Sequence, residues 1–265
     1  MCLPGQVSAD WATSRGWSAA PDAGRNVTPS RPLLFALDGA PLDAVKLVAA
    51  AAMVSDHVND ILLDHDHLAM WYVGRLAFPA FCLVFALNLR RGASLAGYVA
   101  RLTPFAIVSQ PIYRAAFHDG LDNVLITLLL AGIVAILLDE RPKRVQHAVF
   151  AIGAAAAFAA PWTSISAGLC FGMAGLLLPA ALKLTLEGRR DVAPWAALLY
   201  LGLNWFPRDE LFDSLAAPLF VLAVAATTLA LSRRLAGRPR FLPRYALYAF
   251  YPLHLLALIG WRALG

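Results

Sequence analysis

The sequence has few charged residues, few cysteines and no nucleotide-binding motif. Of its 265 residues only 15% are charged and 60% are hydrophobic, whereas a soluble globular domain has about 25% charged and about 45–50% apolar residues. Cys2, Cys82 and Cys170 are too scattered for a disulfide framework or a zinc site. The first residues also lack the pattern of a cleaved signal peptide. These absences exclude an ordinary soluble enzyme and a disulfide-rich secreted domain, and they favour an integral membrane protein.

Long apolar runs fill most of the chain. Because about 20 apolar residues cross a bilayer, the sequence predicts an all-α, polytopic membrane bundle of about nine transmembrane helices. Residues 1–35 are rich in Ser, Pro, Gly and Ala, lack periodicity, and are predicted to form a disordered cytoplasmic tail. Residues 36–265 are predicted to form a single transmembrane domain. The predicted spans are 42–63, 67–89, 95–117, 121–138, 145–160, 165–186, 192–206, 214–232 and 243–262.

The loops between these spans alternate in charge. Basic residues occupy the tail and every second loop, including "DERPKR", "EGRRD" and "SRRLAGRPRFLPR", whereas "DHDH", "FHDG" and "PWTS" have no Lys or Arg. Cytoplasmic loops carry the excess of Lys and Arg in membrane proteins. The sequence therefore predicts a multi-pass membrane protein, with its N-terminus in the cytoplasm and its C-terminus outside. It predicts no nucleic-acid partner.

Four of the charged residues inside the predicted spans are informative. A charged side chain at the centre of a helix costs about 2.5–3.5 kcal/mol on insertion scales. Lys46 and Arg101 lie near the cytoplasmic ends, where long side chains can reach the interface, but Asp56 and Arg75 lie deep. Two interpretations remain open for the deep charges: a buried ion pair that locks helices together, or a polar cavity in the bundle.

One face of the first span connects a lysine to a histidine. His57 follows Lys46 by eleven residues, which returns to the same face of a helix within about 20° and places it roughly 16 Å deeper. Ala50 and Met53 occupy this face between them, so a slender ligand could lie along it. The side chain of Asp56 points about 100° away from that of His57, and it could pair with Arg75 instead.

This set of residues suits group transfer. A histidine can act as a general base near neutral pH, and arginines on a path from the cytoplasm suit a phosphate-bearing ligand. Asn123 opens the fourth span. His254 lies near the middle of the last span, where it is either a structural hydrogen-bonding residue or part of the site. No metal site is predicted, because "DHDH" at 64–67 is better explained as a wet polar turn than as a zinc site.

Five stretches, in order, resemble the TraX family, conjugal-transfer membrane proteins that N-acetylate F-type pilin. They are "LDAVKLVAAAAMVSDH", "GRLAFPAFCLVFALNLRRG", "YVARLTPFAIVSQPIY", "NVLITLLLAGI" and "YALYAFYPLHLLAL". The spacing of Lys46 and His57 is also similar to the basic-x10-His signature of the wider transmembrane acyltransferase group, which includes acyltransferase-3 proteins. One departure is "SISAGLCFG" in the sixth span, where the family pattern has an Asp-Tyr-Gly-like stretch.

The resemblance implies an enzyme of the bacterial inner membrane that uses an acyl-CoA donor. On this basis His57 corresponds to the proposed catalytic histidine, Asp56 to its neighbour, Lys46 to the basic residue of the signature, Arg75 to the arginine of the "GR" motif and His254 to the histidine of "YPLH". His57 would deprotonate the acceptor or carry the acetyl group transiently, and the sequence does not choose between these.

The resulting hypothesis is a membrane acetyltransferase. It would move an acetyl group from cytoplasmic acetyl-CoA to an amine or hydroxyl at the membrane or periplasmic face, such as a pilin N-terminus. Arg90, Arg91 and Arg101 are candidates for binding the CoA phosphates, and Asn123 is a further candidate binding residue. Two alternatives from other classes are a transporter or flippase that uses the intramembrane charges, and a non-enzymatic pilus assembly factor.

Overall fold

Helices make up every regular element that the structure describes. This computed structural model describes residues 37–91, 94–117, 121–160, 171–205 and 211–264. No β-strand occurs in these ranges, which confirms the predicted all-α class for them. The predicted tail, and most of the "SISAGLCFG" stretch, lie outside the described residues. The helices are α1 Gly39–Leu62, α2 Leu68–Gly74, α3 Ala77–Arg90, α4 Leu95–Ala116, α5 Val124–Asp139, α6 Lys143–Ala159, α7 Gly172–Leu186, α8 Ala193–Leu203, α9 Leu211–Ser232 and α10 Ala246–Arg262.

Each predicted span contains a helix, and the second contains two. Its helical hydrogen bonding is interrupted at Arg75 and Leu76, which separates the short α2 from α3. Gly74 ends α2 where that helix meets α1. A Cβ atom added to Gly74 would lie 2.2 Å from Oδ1 of Asp56. The close approach of the two helices therefore requires a residue without a side chain at this position.

Short polar side chains begin three of the helices. Asp38 accepts a hydrogen bond from the Gly39 amide at the start of α1, and Ser94 accepts one from the Gly97 amide in α4. Asn123 accepts from two amides at the start of α5. Such caps satisfy amide groups that have no partner within the helix. They explain why these helices begin where the polar loops end.

Two helices form the centre of the packing. α1 packs against α2, α3, α9 and α10, while α7 packs against α3, α5, α6 and α8. α3 contacts both α1 and α7 and therefore connects the helices packed around α1 with those packed around α7. α4 packs between α5 and α10. This arrangement brings the first and last helices of the described chain together and places α4 beside them.

The surface is apolar and several charges are buried, as in a membrane protein. Large apolar side chains project outward from α4, α5, α6, α9 and α10; Ile107 is 66% exposed and Leu253 61%. Soluble monomers seldom expose contiguous apolar surface of this kind. By length and composition, two described helical segments could cross a membrane: Leu68–Arg90, which contains α2 and α3, and Leu215–Leu235, which contains most of α9. α5, α7 and α8 are apolar but shorter. α1 is long enough, but it carries four charged residues.

Candidate functional site

Two histidines from opposite ends of the described chain form a hydrogen-bonded pair. Nδ1 of His57, on α1, lies 2.7 Å from Nε2 of His254, on α10. The ring planes are within 8° of parallel, and the ring centroids are 5.0 Å apart. With so short a contact between nitrogens, these values mean that the rings lie edge to edge in nearly one plane. The structure thus brings together two of the residues that the sequence selected.

The hydrogen bonds of the pair determine which nitrogens carry protons. Nδ1 of His254 lies 3.0 Å from the carbonyl oxygen of Phe250, and a carbonyl can only accept. Nδ1 of His254 must therefore donate, which leaves its Nε2 as an acceptor in the neutral ring. His57 then donates from Nδ1, and the lone pair lies on its Nε2. This assignment leaves His57 with a basic nitrogen that does not take part in the pairing.

Aromatic rings surround the pair. The ring of Phe117, at the end of α4, meets the His57 ring edge-on at 5.1 Å, and Tyr251 does so at 6.4 Å. Phe250 lies parallel to His254 one helical turn away, at 5.0 Å between centroids. His254 itself is 8% exposed. These contacts restrict the rotation of both imidazoles and keep the hydrogen-bonded geometry in place.

A large cavity lies next to this pair, although neither histidine is among its described lining residues. It has a volume of about 830 Å³, near the upper end of the range of about 300–1,000 Å³ that is usual for ligand sites. Met53, one turn before His57, contributes to its wall, and so do Phe250 and Tyr251, which lie within a turn of His254. The remaining apolar wall comes from α3, α4, α5, α10 and the segment before α10: Phe81, Val84, Phe85, Leu102, Val124, Leu125, Leu128, Leu242 and Leu247.

The other end of the cavity is strongly cationic. Among the described residues, five basic side chains line it and one acidic residue, Asp38, does so. Partial burial lowers the pKa of the Arg91 guanidinium; Asp38 opposes this shift, and the charges of Arg240 and Arg90 add to it. Crowded positive charges of this kind favour an anionic ligand. The basic residues are Lys46, Arg91, Arg101, Arg240 and Arg244.

Of the seven predicted binding residues, three line this cavity, and Arg75, Arg90, Asn123 and His254 are not among its described lining residues. Lys46, Arg91 and Arg101 line it. Arg90 lies at the exposed end of α3 and is not among the described lining residues. Asn123 is also absent from the lining, because its side chain caps α5 and its Nδ2 donates to the Ala106 carbonyl and to Gln110. A binding role for Arg90 and Asn123 stays a prediction.

Asp56 and Arg75 form an ion pair, which was one of the two open interpretations. Nη2 of Arg75 lies 3.4 Å from Oδ2 of Asp56, and the Arg75 guanidinium also lies over the Trp71 ring at 5.1 Å. The Asp56 carboxylate thus faces α2 rather than the His57 ring. The pair holds α1 against the α2–α3 break, and a catalytic role for Asp56 stays a prediction.

Sequence reasoning missed three charged residues at the cationic end. Asp43 is completely buried and accepts a hydrogen bond from Nζ of Lys46 at 2.8 Å. Its signal in the sequence was the three-residue spacing, which places both side chains on one helix face. Arg240 and Arg244 belong to the basic loop that was interpreted only as a topology signal. Nothing local distinguishes them from Arg233 and Arg234 in the same loop.

The described residues contain no group of three or more His, Cys, Asp or Glu side chains placed to hold a metal ion. His65 and Asp60 approach each other, with Nδ1 of His65 2.5 Å from Oδ1 of Asp60. The remaining side chains of the 64–67 turn are exposed. The polar turn that was predicted at this position is therefore present.

The family model and the related proteins that match this chain all point to one family. A family model described as TraX protein matches residues 41–262. The chain is 34% identical over 226 residues to Protein TraX of Escherichia coli, covering 84% of this chain and 87% of that protein. It is 33% identical over 228 residues to Protein TraX of Escherichia coli strain K12, with the same coverage. No solved structure matches.

Proposed function

The chain belongs to the TraX family, and on that premise we propose that it is an integral-membrane acetyltransferase. The donor is acetyl-CoA from the cytoplasm. The acceptor is an amine or hydroxyl at the membrane or periplasmic face, and the N-terminus of a conjugative pilin is the candidate that the family resemblance implies. The single observation that carries the proposal is the cavity with a cationic mouth whose inner wall adjoins the His57–His254 pair.

The two ends of the cavity match the two ends of the donor. The phosphates of CoA are anionic and suit the lysine and arginines at the mouth. The pantetheine arm is thin and largely uncharged, which suits the apolar walls that α3, α5 and α10 supply. With the phosphates at the mouth, the thioester would reach the inner end, beside the histidines.

The protonation of the pair suits a general base. The acceptor nitrogen attacks the thioester carbonyl carbon, and Nε2 of His57 takes the proton that this nitrogen loses. The carbon–sulfur bond then breaks, and the sulfur leaves with its electron pair and receives the proton from His57. The products are the acetylated acceptor and free CoA. While His57 is protonated, its Nδ1–H still donates to His254, so the charge is formed in a position that is already hydrogen-bonded.

We propose an inner-membrane, multi-pass topology of about nine spans, with the N-terminus inside. The alternating loop charges support this orientation, and so does the cavity, because its arginines then face the cytoplasm, where acetyl-CoA is found. Reporter fusions after Arg144 and after Arg234 should report a cytoplasmic location, and a fusion within residues 117–120 should report the periplasm. The opposite pattern would place the cavity mouth outside and remove the donor route.

Donor binding tests the function itself. CoA or acetyl-CoA at about 100 times its dissociation constant should stabilise the detergent-solubilised protein by about 2.7 kcal/mol. Thermal unfolding with and without ligand measures this shift. Arg101→Ala should bind more weakly, because Arg101 lines the mouth. A melting curve that saturating acetyl-CoA leaves unmoved would favour a transporter or an assembly factor over an enzyme. Intact masses of candidate pilins, with and without this protein in the cell, then identify the acceptor.

A further inference from the structure

We propose that residues 240–244, which lead into α10, bind the phosphates at the nucleotide end of the donor, including its 3′-phosphate, and that Asp43 positions this segment. The inference rests on the proposed function and adds a subsite to it. Arg240 and Arg244 line the cationic mouth of the cavity. Both side chains belong to exposed residues, so a ligand that enters from the mouth can reach them.

Asp43 connects this segment to α1. Its Oδ2 accepts hydrogen bonds from the backbone amides of Phe241 at 3.1 Å and Leu242 at 3.0 Å. Its Oδ1 accepts from Lys46 at 2.8 Å and lies 3.7 Å from Nε of Arg240. A completely buried carboxylate is costly unless hydrogen bonds and charges compensate it. Here four partners do so, and together they determine the path of the backbone between the two arginines.

A second contact holds the same segment against the start of α1. The Ala40 amide donates to the carbonyl of Arg238 at 3.1 Å. Gly39 has a φ of +56°, and a Cβ atom at this position would lie 2.4 Å from that carbonyl oxygen. Only glycine accommodates both the positive φ and the close approach of the Arg238 carbonyl. The segment is thus attached to α1 by main-chain and side-chain contacts, and Arg240 and Arg244 project from a backbone that is already ordered.

The contacts of α1 with α10 and with residues 240–244 before it explain why residues 240–244 suit the nucleotide end of the donor. One connection is at Asp43 and the other is the His57–His254 pair, fourteen residues and roughly 21 Å further along α1. A long, thin donor bound between them has its phosphates at the first connection and its thioester at the second. Asp43 supplies one negative charge beside both Lys46 and Arg240, and Arg244 adds a further positive charge, so a net positive charge is left for the phosphates.

The inference predicts discrimination between two forms of the donor. CoA and dephospho-CoA differ only in the 3′-phosphate, and hydrogen bonds to a charged group are among the stronger ones. We expect the wild-type protein to bind CoA about tenfold or more tightly than dephospho-CoA. The double variant Arg240→Gln, Arg244→Gln should bind CoA about 10- to 100-fold more weakly, and its ratio of the two affinities should approach one.

A matched pair of arginines in the same loop is the control. Arg233 and Arg234 are exposed and are not among the described residues that line the cavity, so Arg233→Gln, Arg234→Gln should keep both affinities. Asp43→Asn tests the positioning role. It should weaken CoA binding, and combining it with the Arg240 and Arg244 changes should add little further loss, because both act through the same segment.

The outcomes separate this inference from the proposed function. Titration calorimetry of the full-length protein in detergent measures each affinity, and a melting curve checks that each variant is folded. If the wild-type protein binds CoA and dephospho-CoA equally, the subsite is refuted even though the enzyme proposal stands, and this result needs no variant. An Arg240→Gln, Arg244→Gln protein with wild-type CoA affinity would also refute it. If the wild-type protein binds neither ligand, the proposed function fails and this inference fails with it.

Discussion

Replacing His57 with alanine is expected to lower acetyl transfer by about 10²- to 10⁴-fold and to leave CoA binding in place. The loss follows from removing Nε2, the nitrogen that the hydrogen bonds of the pair leave with a lone pair. If His57 carries the acetyl group covalently, the loss should be larger. The measurement is the initial rate of transfer from acetyl-CoA, together with the affinity of the same sample for CoA.

Two substitutions of His254 test how much the hydrogen bond to His57 contributes to the rate of transfer. His254→Leu removes the acceptor for Nδ1 of His57, whereas His254→Gln keeps an oxygen that can accept. The Gln variant should therefore retain more activity than the Leu variant, and both should retain more than His57→Ala. His67→Ala is the control for an exposed histidine in the outer turn, and it should transfer at the wild-type rate.

Two results would contradict this mechanism. One is a folded, CoA-binding His57→Ala protein with normal turnover, which would assign the base to another residue. The other is a joint loss of folding, CoA binding and activity in His57→Ala, with no difference between the two His254 variants. That pattern would mean that the pair stabilises the contact between α1 and α10 and does no chemistry.

The second large effect is expected for stability. Arg75→Ala should lower the free energy of unfolding by about 3 kcal/mol, at the lower end of the range for breaking a buried ion pair. The reason is that the Asp56 carboxylate, only 19% exposed, would lose the guanidinium at 3.4 Å. The packing of Arg75 over Trp71 would also be lost. Denaturant or thermal unfolding in detergent measures the change.

A double substitution separates the charge from the packing. Asp56→Asn, Arg75→Ala should recover part of the stability that Arg75→Ala loses, because no uncompensated charge remains. Arg141→Ala is the matched surface control, since Arg141 is exposed, and it should change stability by less than about 0.5 kcal/mol. A double variant no more stable than Arg75→Ala would show that the pair contributes only through packing.

The helices themselves could be predicted from the sequence because their signals are local. Apolar runs of the length of a span and the polar residues between them indicated nine helical segments, and within the described residues each of them contains a helix, the second containing two. The position of Lys46 and Met53 on the face of α1 that lines the cavity followed from the 3.6-residue period alone. The interruption at Arg75 and Leu76 has a local signal, because Gly74 precedes it and Pro79 has no amide to donate to the Arg75 carbonyl. The division of this span into two helices was not predicted.

The roles of individual polar residues depended on contacts that local patterns do not contain. Asn123 was a candidate binding residue because it is a polar residue at the start of an apolar span. In the structure its side chain caps the N-terminus of α5 instead. Asp43 showed only its spacing to Lys46, while its contacts with Phe241 and Leu242 cross nearly the whole chain. Four loop arginines have similar sequence surroundings, and only packing against α1 places Arg240 at the cavity and leaves Arg233 outside it.

The sequence by itself therefore determined the helical class, the apolar character of the chain and which residues share a face of each helix, since these follow from composition and the period of the helix. Only the tertiary structure decided that His57 meets His254, which is 197 residues away, and which nitrogen of His57 keeps its lone pair. The physical reason is that side chains within one helix are related by a fixed rotation. The register between two helices depends instead on how all of their side chains pack together.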